Sequence, residues 1–159
     1  MTTTTLHLLC GKIAAGKSTL AAKLAAEHQA MLLREDRWLA TLYAGEINSV
    51  ADYVRCAQRM RGVVGPLVVD LLARGMPVVL DFPANREADR TWLAGLAEQA
   101  GVQACLHFLD VDNDTCKARL HARNAQGEHD YAATDAEFEL ITQYFSAPGP
   151  HEQIPVIVY

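Results

Sequence analysis

The amino-acid sequence predicts a three-layer α/β/α fold, in which helices cover both faces of a five-stranded parallel sheet. Short apolar runs alternate along the chain with longer stretches of helical periodicity, an alternation that is typical of parallel sheets. A glycine-rich stretch joins the first apolar run to the first helical stretch, and two later apolar runs end in charged residues. These observations place polar side chains at the carboxyl edge of the sheet, where open α/β folds bind their ligands.

The glycine-rich stretch at residues 11–18, GKIAAGKS, fits the phosphate-binding pattern G-x-x-x-x-G-K-[ST] at every fixed position. It lies between a predicted strand over residues 5–10 and a predicted helix over residues 17–28. The glycines let backbone N–H groups point at a polyphosphate, and the helix start adds the positive end of its dipole. We expect Lys17 to reach the outer phosphates of ATP and the Ser18 hydroxyl to ligate Mg²⁺. The predicted nucleotide-binding residues are Gly11, Lys12, Ala14, Ala15, Gly16, Lys17, Ser18 and Thr19.

Length and composition indicate an ordinary globular protein. The chain has 159 residues, of which 50% are hydrophobic and 21% are charged, so we predict a single domain over residues 1–159. The net charge of −5 argues against a broad basic surface for nucleic acid, but it leaves a local basic groove open. The first residues lack the basic start of a signal peptide, and no apolar stretch is long enough to span a membrane. We therefore expect a cytoplasmic protein with no membrane partner.

A cluster of charges at residues 34–37, REDR, ends the second predicted strand, over residues 30–33. A buried parallel strand that stops in charges places them at the carboxyl edge of the sheet. Asp36 is therefore the first candidate for chemistry. The alternative is that Asp36 caps the helix predicted over residues 37–43, because aspartate is a good N-cap. Position along the chain does not decide between the two roles.

The middle of the chain predicts a long helix and a third strand. Residues 48–74 carry apolar side chains at helical spacing, and Gly62 and the Gly65–Pro66 pair are expected to kink or split this helix. The next apolar run, Val78–Asp81, again ends in an acid. With a phosphate loop upstream, Asp81 is expected to help hold Mg²⁺. An ordinary aspartate at a strand end is the alternative.

Four arginines lie in the two helices predicted after this strand. Arg86 and Arg90 lie in the first turns of one helix, where the dipole disfavours a cation, so one of them is expected to face an anion. Solvent exposure is the alternative, above all for Arg86. Arg119 and Arg123 lie four residues apart on one face of the other helix, which predicts an anion or acids opposite them. For these two arginines a solvated basic face is the alternative.

The end of the chain predicts a small helical lid over about residues 117–135, within which residues 126–133 show no hydrophobic pattern. Residues 134–137, TDAE, form a capping-box signature and open a helix. The other elements predicted after Asp81 are helices over residues 86–100 and 115–124 and strands over residues 103–109 and 154–159.

The phosphate loop makes the predicted fold one of the P-loop NTPase type, but it specifies a nucleotide rather than a reaction. The sequence has no N-K-x-D element for guanine and is too short for a ring ATPase, which leaves a small phosphotransferase. Transfer of a γ-phosphoryl group needs cradled phosphates, bound Mg²⁺, cations that balance charge and a carboxylate for the acceptor. Beyond the loop itself, the sequence offers Ser18 and Asp81 for Mg²⁺, Lys17 with Arg119 or Arg123 as cations, and Asp36 as the carboxylate.

In these features the chain resembles the small P-loop kinases of the AAA-domain "33" type, relatives of chloramphenicol phosphotransferase, zeta toxins and the kinase module of polynucleotide kinases. The resemblance covers nearly the whole chain. It implies that Asp36 is the general base toward the acceptor hydroxyl, and that Arg123, with Arg119 as a second candidate, contacts the phosphates of ATP. The predicted substrate-binding residues are Asp36, Arg37 and Arg90. Outside the phosphate loop, the resemblance rests on Asp36, residues 79–85 (VLDFPAN) with Arg90, residues 116–120 (CKARL) with Arg123 and Asn124, and residues 144–145 with Pro148.

The leading interpretation is an ATP- and Mg²⁺-dependent kinase that phosphorylates a hydroxyl of a small molecule. One alternative is a 5′-hydroxyl polynucleotide kinase. The acidic net charge argues against it, as does Phe82–Pro83 in place of the Ala-Thr often found in polynucleotide kinases. The other alternative is a regulatory module that binds ATP and switches a partner without transferring phosphate, in which Asp36 has no role. The sequence specifies neither the acceptor nor the oligomeric state.

Overall fold

A computed structural model describes residues 3–127 and 132–159. The strands are β1 (Thr5–Cys10), β2 (Met31–Arg34), β3 (Val78–Asp81), β4 (Gln103–Phe108) and β5 (Val156–Val158). The helices are α1 (Lys17–His28), α2 (Glu35–Leu42), α3 (Val50–Ala73), α4 (Glu87–Ala100), α5 (Asn113–Gln126) and α6 (Asp135–Thr142), and a short 3₁₀ helix, Pro150–Glu152, precedes β5. None of the helices in these ranges is long and apolar enough to cross a membrane.

The five strands form one parallel sheet in the order β2-β3-β1-β4-β5. The central strand β1 pairs with β3 on one side and with β4 on the other, so that Leu8 lies opposite Leu80 and Leu106. Ala21 and Leu24 of α1 pack against one face of the sheet, and α3 and α4 pack against the other. The predicted α/β/α fold with a five-stranded parallel sheet is confirmed.

The central strand is apolar because helices cover both of its faces. Leu6, Leu8, Leu9 and Cys10 have no exposed surface. A strand of this kind forms a continuous apolar run, since neither face meets water. The apolar run ends at Cys10, where β1 meets the glycine-rich loop. The loop therefore lies at the carboxyl edge of the sheet.

The sequence predicts a kink or a split of the long helix at Gly62 and the Gly65–Pro66 pair. The helix α3 is continuous, so it is not split. Ser49 caps its start, accepting a hydrogen bond from the backbone N–H of Asp52 at 3.0 Å. Pro66 lacks the N–H that would bond the Gly62 carbonyl. Both residues lie on the exposed side of the helix, where water can satisfy that carbonyl, so the helix continues past the proline.

The predicted lid region falls on α5, α6 and the segment between them. Residues 128–131, within the stretch predicted as a lid loop, lie outside the described residues. The predicted capping box is confirmed: the Thr134 hydroxyl accepts from the Glu137 N–H, and the Glu137 carboxylate accepts from the Thr134 N–H. An ion pair of Lys117 with Glu139 and a hydrogen bond between His121 and Asp135 join α5 to α6.

Candidate active site

The loop between β1 and α1 has the backbone of a phosphate cradle. Ala14 and Gly16 adopt positive φ angles of 61° and 106°, which turn the chain sharply before α1 begins. A Cβ atom at Gly11 would lie 3.2 Å from the Cβ of Ala15 and 3.3 Å from the carbonyl oxygen of Leu109, so this position leaves little room for a side chain. The two glycines of the motif therefore have separate roles, close packing at Gly11 and the left-handed turn at Gly16.

The ammonium group of Lys17 lies inside this loop. Its Nζ donates hydrogen bonds to the carbonyl oxygens of Gly11, at 2.5 Å, and Lys12, at 2.8 Å. Burial lowers the pKa of Lys17, and the negative charges of Asp81 and Asp36 partly offset that effect. The lysine is thus held among the loop carbonyls, within the field of two carboxylates at the same edge of the sheet.

Ser18 and Asp81 meet at this edge. The Ser18 hydroxyl donates a hydrogen bond to Oδ2 of Asp81 at 2.9 Å. Ser18 lies in the first turn of α1, and Asp81 is the last residue of β3, which is the neighbour of β1 in the sheet. The structure therefore brings the two predicted Mg²⁺ ligands side by side.

Asn85, in the turn after β3, supports the loop in a way that sequence reasoning missed. Its Oδ1 accepts a hydrogen bond from the backbone N–H of Gly11 at 2.9 Å. Its carbonyl oxygen accepts another from the N–H of Ser146 at 2.8 Å. The partners lie 74 and 61 residues away in the chain, so no local pattern could have indicated them. The available signals were a polar residue in the turn after a strand-end acid and its place in the stretch that carries the family resemblance.

The two arginines of α5 reach the site at different points. Nη1 of Arg119 donates to the carbonyl oxygen of Ala15 in the phosphate loop, at 3.1 Å. The Nε atom of Arg123 is buried without a hydrogen-bond partner among the described residues. Burial lowers the pKa of Arg123, and the negative charge of Asp36 opposes that shift. Arg119 therefore contacts the loop, whereas Arg123 interacts electrostatically with the candidate base.

Asp36 lies in the first turn of α2 with an exposed side chain. The helix begins at Glu35, with Arg34 as its N-cap residue, so the alternative in which Asp36 caps a helix is wrong. The charge of Asp36 acts on both Lys17 and Arg123. Asp36 thus acts electrostatically on the lysine of the phosphate loop. Its position just after a strand predicts this, because strand ends meet at the carboxyl edge of the sheet.

Arg90, predicted as a substrate-binding residue, is instead committed to the protein interior. Its side chain is 1% exposed, and its Nε donates to Oε1 of Glu152 at 2.6 Å. Nη1 donates to the carbonyl oxygens of Ala84, at 3.0 Å, and Ser146, at 2.9 Å. The helix-dipole argument predicted an anion opposite Arg86 or Arg90, and each of them faces a carboxylate of the protein itself, Asp89 and Glu152. The assignment of Arg90 to a substrate is therefore corrected.

The other two arginines considered for this region are exposed. Arg86 forms two hydrogen bonds of 3.0 Å with the carboxylate of Asp89, one turn further along α4. Arg37 has an exposed side chain, and its backbone carbonyl accepts from the Thr41 hydroxyl at 2.9 Å. The role of Arg37 in binding a substrate remains a prediction.

Glu35, which sequence reasoning grouped only with its charged neighbours, is buried. Its side chain has no exposed surface, and the Tyr53 hydroxyl donates to its Oε1. Burial raises the pKa of Glu35 to about 7, against the opposing effect of the hydrogen bond from Tyr53. A carboxyl group that titrates near neutral pH thus lies next to the candidate base.

A protein-family model and curated relatives match the sequence of the chain. The family model for AAA domains of the AAA_33 type matches residues 6–148. The protein KTI12 homolog of Oryza sativa subsp. indica is 29% identical over 133 residues, which cover 79% of this chain and 42% of the rice protein. The chain therefore spans less than half the length of the curated relatives it matches.

Solved structures share the fold at low sequence identity. A Chloroflexus aurantiacus protein with a provisional kinase assignment matches with a TM-score of 0.75 and 22% identity, over 100% of this chain and 86% of that chain. Kti12 of Chaetomium thermophilum in complex with ADP-AlF3 matches with a TM-score of 0.70 and 18% identity, over 97% of this chain and 88% of that chain. APS kinase CysC of Mycobacterium tuberculosis, in complex with AMPPNP and APS, matches with a TM-score of 0.59 and 19% identity, over 99% and 90%. The likeness shows a P-loop kinase-type fold.

Proposed function

The chain belongs to the AAA_33 family of AAA domains, and from this premise we propose that it is an ATP- and Mg²⁺-dependent phosphotransferase acting on a hydroxyl of a small molecule. The observation that carries the proposal is that Asp36, exposed in the first turn of α2, acts electrostatically on both Lys17 and Arg123. A site that only binds nucleotide needs the phosphate loop and a metal ligand, but it does not need an exposed carboxylate there. The M. tuberculosis APS kinase, with the same fold, holds a nucleotide and a small molecule together.

The residues at the end of β3 and the start of α1 fit Mg²⁺. A hydroxyl and a carboxylate are hard oxygen ligands, and those of Ser18 and Asp81 are 2.9 Å apart. When bound, Mg²⁺ neutralises charge on the β- and γ-phosphate oxygens. In the proposed site Ser18 and Asp81 would hold it, the loop N–H groups would bind the phosphates, and Lys17 would turn from the loop carbonyls to a phosphate oxygen.

The proposed step is an in-line displacement at the γ-phosphorus. The acceptor oxygen forms the new bond to phosphorus, the bond from phosphorus to the bridging oxygen breaks, and ADP leaves. Asp36 takes the proton of the acceptor hydroxyl as the bond forms, and its exposure lets that proton pass to solvent afterwards. Arg123, which interacts electrostatically with Asp36, would balance charge on the transferring group.

Transfer of labelled γ-phosphate from Mg-ATP tests the proposal. The acceptor panel comprises sugars, aminoglycosides, chloramphenicol-like alcohols, nucleosides and a 5′-hydroxyl oligonucleotide. Asp36→Asn should lower kcat by about 10²–10⁴ with ATP affinity retained, as expected for loss of a general base. Asp70→Asn, a change of the same kind on the exposed side of α3, is the matched control and should behave like the wild type. Near-normal transfer by the Asp36 variant would remove this residue from the mechanism, and transfer to the oligonucleotide alone would favour a polynucleotide kinase.

A second candidate is a module that binds ATP and controls a partner without transferring phosphate. The similarity to KTI12 homologs favours it, because the match covers only 42% of those proteins and leaves a large further segment beside the nucleotide-binding part. The two candidates differ at Asp36. For a module, Asp36→Asn should leave ATP binding and slow hydrolysis unchanged, and no acceptor of the panel should be phosphorylated.

A further inference from the structure

The residue directly before the candidate base is a buried acid. Glu35 is the first residue of α2 and has no exposed surface, whereas Asp36 next to it is exposed. Consecutive helical side chains point about 100° apart, so one of the pair faces the protein interior while the other faces the site. Burial of a carboxyl group is costly unless it has partners, so the contacts of Glu35 bear on why an acid lies here.

Glu35 is bonded to the long helix α3 rather than to the sheet. The Tyr53 hydroxyl, one turn into α3, donates to Oε1 of Glu35. The other oxygen, Oε2, is buried without a hydrogen-bond partner among the described residues. The single bond from Tyr53 therefore ties the first turn of α2 to α3, and it does so one residue from Asp36.

The charges that act on Glu35 come from three helices. Asp36 is its neighbour on α2, Arg61 and the Tyr53 hydroxyl face it from α3, and Asp89 faces it from α4. Arg61 also donates to Asp89 at 3.4 Å, so its positive charge is shared between two acids. Burial dominates this balance and raises the pKa of Glu35 to about 7, so the charge of this residue changes near neutral pH.

We propose that Glu35 is a positioning residue for Asp36: bonded to Tyr53, it fixes the first turn of α2, and its negative charge makes Asp36 a stronger base. The inference rests on the proposed function, in which Asp36 takes a proton from the acceptor hydroxyl. The physical reason is that a negative charge on the adjacent residue disfavours the ionised form of Asp36. A carboxylate with a higher pKa accepts a proton more readily in the transition state, as long as it stays ionised at the working pH.

Two variants separate position from charge. Glu35→Gln keeps an oxygen that can accept from Tyr53 but cannot become charged. Wild-type kcat should rise with pH through a midpoint of about 7, and this variant should lack the rise and be about three- to tenfold slower at pH 8, with the KM for ATP unchanged.

Tyr53→Phe leaves the buried carboxyl without its donor and should lower kcat about tenfold at every pH, because a small displacement of a base is costly. Tyr144→Phe removes a hydroxyl from a side chain that is 65% exposed and is the control.

Carbon-13 NMR of the carboxyl groups gives a readout that does not need an acceptor. The Asp36 carboxyl resonance, assigned with Asp36→Asn, should show a second inflection near pH 7 in the wild type and lose it in Glu35→Gln. A merely structural Glu35 would alter stability without this inflection. The pKa of Glu35 is raised in the folded protein from its usual 4.5 to about 7. The contribution of Glu35 to stability is therefore full below about pH 4.5 and is lost as the pH rises through about 7.

The outcomes distinguish this inference from the proposed function. If the wild type transfers phosphate and Asp36→Asn does not, but Glu35→Gln keeps the wild-type pH profile and the Asp36 resonance has one inflection, the positioning role is refuted and the kinase stands. If no acceptor is phosphorylated, the NMR titration decides alone: a second inflection that Glu35→Gln removes supports the coupling, and its absence overturns it.

Discussion

Replacement of Glu152 by glutamine should destabilise the fold strongly without weakening the binding of an acceptor. The Arg90 and Glu152 side chains are 1% and 6% exposed, and two hydrogen bonds of 2.6 and 3.1 Å join them. Oε2 of Glu152 also accepts from the Gly149 N–H at 2.7 Å. A glutamine removes the counter-charge and turns one accepting oxygen into a donor. Arg90 therefore faces an N–H₂ group in either amide orientation, and in one of the two the Gly149 N–H does as well.

The size of the effect follows from this burial. Removal of one partner of a buried ion pair costs about 3–5 kcal/mol, because the other charge stays in the interior without compensation. For a chain of this length each kcal/mol lowers the melting temperature by roughly 2–4 °C, so we expect a fall of about 6–20 °C. The hydrogen bond from Arg90 holds the pKa of Glu152 below its usual value of 4.5. The contribution of Glu152 is therefore complete above that value and is lost as the pH falls through the lower folded-state pKa.

Urea unfolding followed by circular dichroism at several pH values measures this difference. Glu87→Gln is the control, because the Glu87–His151 pair is 57% and 65% exposed and should contribute less than about 1 kcal/mol. Arg90→Met combined with Glu152→Met should recover much of the loss, since apolar residues can replace a buried pair. A loss below about 1 kcal/mol for Glu152→Gln would refute the reasoning. A raised acceptor KM in a stable Arg90→Met/Glu152→Met protein would return Arg90 to the substrate site.

Three further changes test the nucleotide half of the site. Lys17→Ala should abolish phosphoryl transfer while the circular dichroism spectrum is retained, and unchanged transfer would rule out the phosphate-loop mechanism. Asp81→Asn should raise the Mg²⁺ concentration needed for half-maximal activity by about tenfold, and an unaltered requirement would place the metal elsewhere. Asn85→Ala leaves the Gly11 N–H without its 2.9 Å partner and should weaken ATP binding about fivefold by calorimetry, whereas wild-type affinity would show that the loop keeps its shape alone.

Sequence reasoning was accurate where the signal was local. The first strand, the phosphate loop and the first helix have the predicted bounds, because one apolar run and one motif specify all three. Of the kink or split predicted for α3, the split does not occur, because Pro66 and Gly62 both lie on the exposed side of the helix, which the sequence does not show.

Contacts between distant parts of the chain were beyond sequence reasoning. Arg90 and Glu152 are 62 residues apart, and Glu35 and Tyr53 are 18 apart on different helices. In the sequence each pair looks like ordinary surface charge or a core tyrosine. Only tertiary packing brings the partners together, α2 with α3 for Glu35 and Tyr53, and α4 with the 3₁₀ helix for Arg90 and Glu152. The same limit applies to Arg123 of α5, whose electrostatic interaction with Asp36 of α2 links two helices that are far apart in the sequence.

The stretch VLDFPAN and Arg90 carry much of the family resemblance. In the structure these residues support the phosphate loop. Asp81 accepts from Ser18, and Asn85 accepts from the Gly11 N–H. Arg90 holds the Ala84 carbonyl, directly before Asn85, and ties the turn to the segment that ends at Glu152. Each of these contacts fixes the nucleotide half of the site. In the proposed reaction the acceptor is recognised near the start of α2, where Asp36 lies, so variation there, rather than in this stretch, should distinguish one family member's substrate from another's.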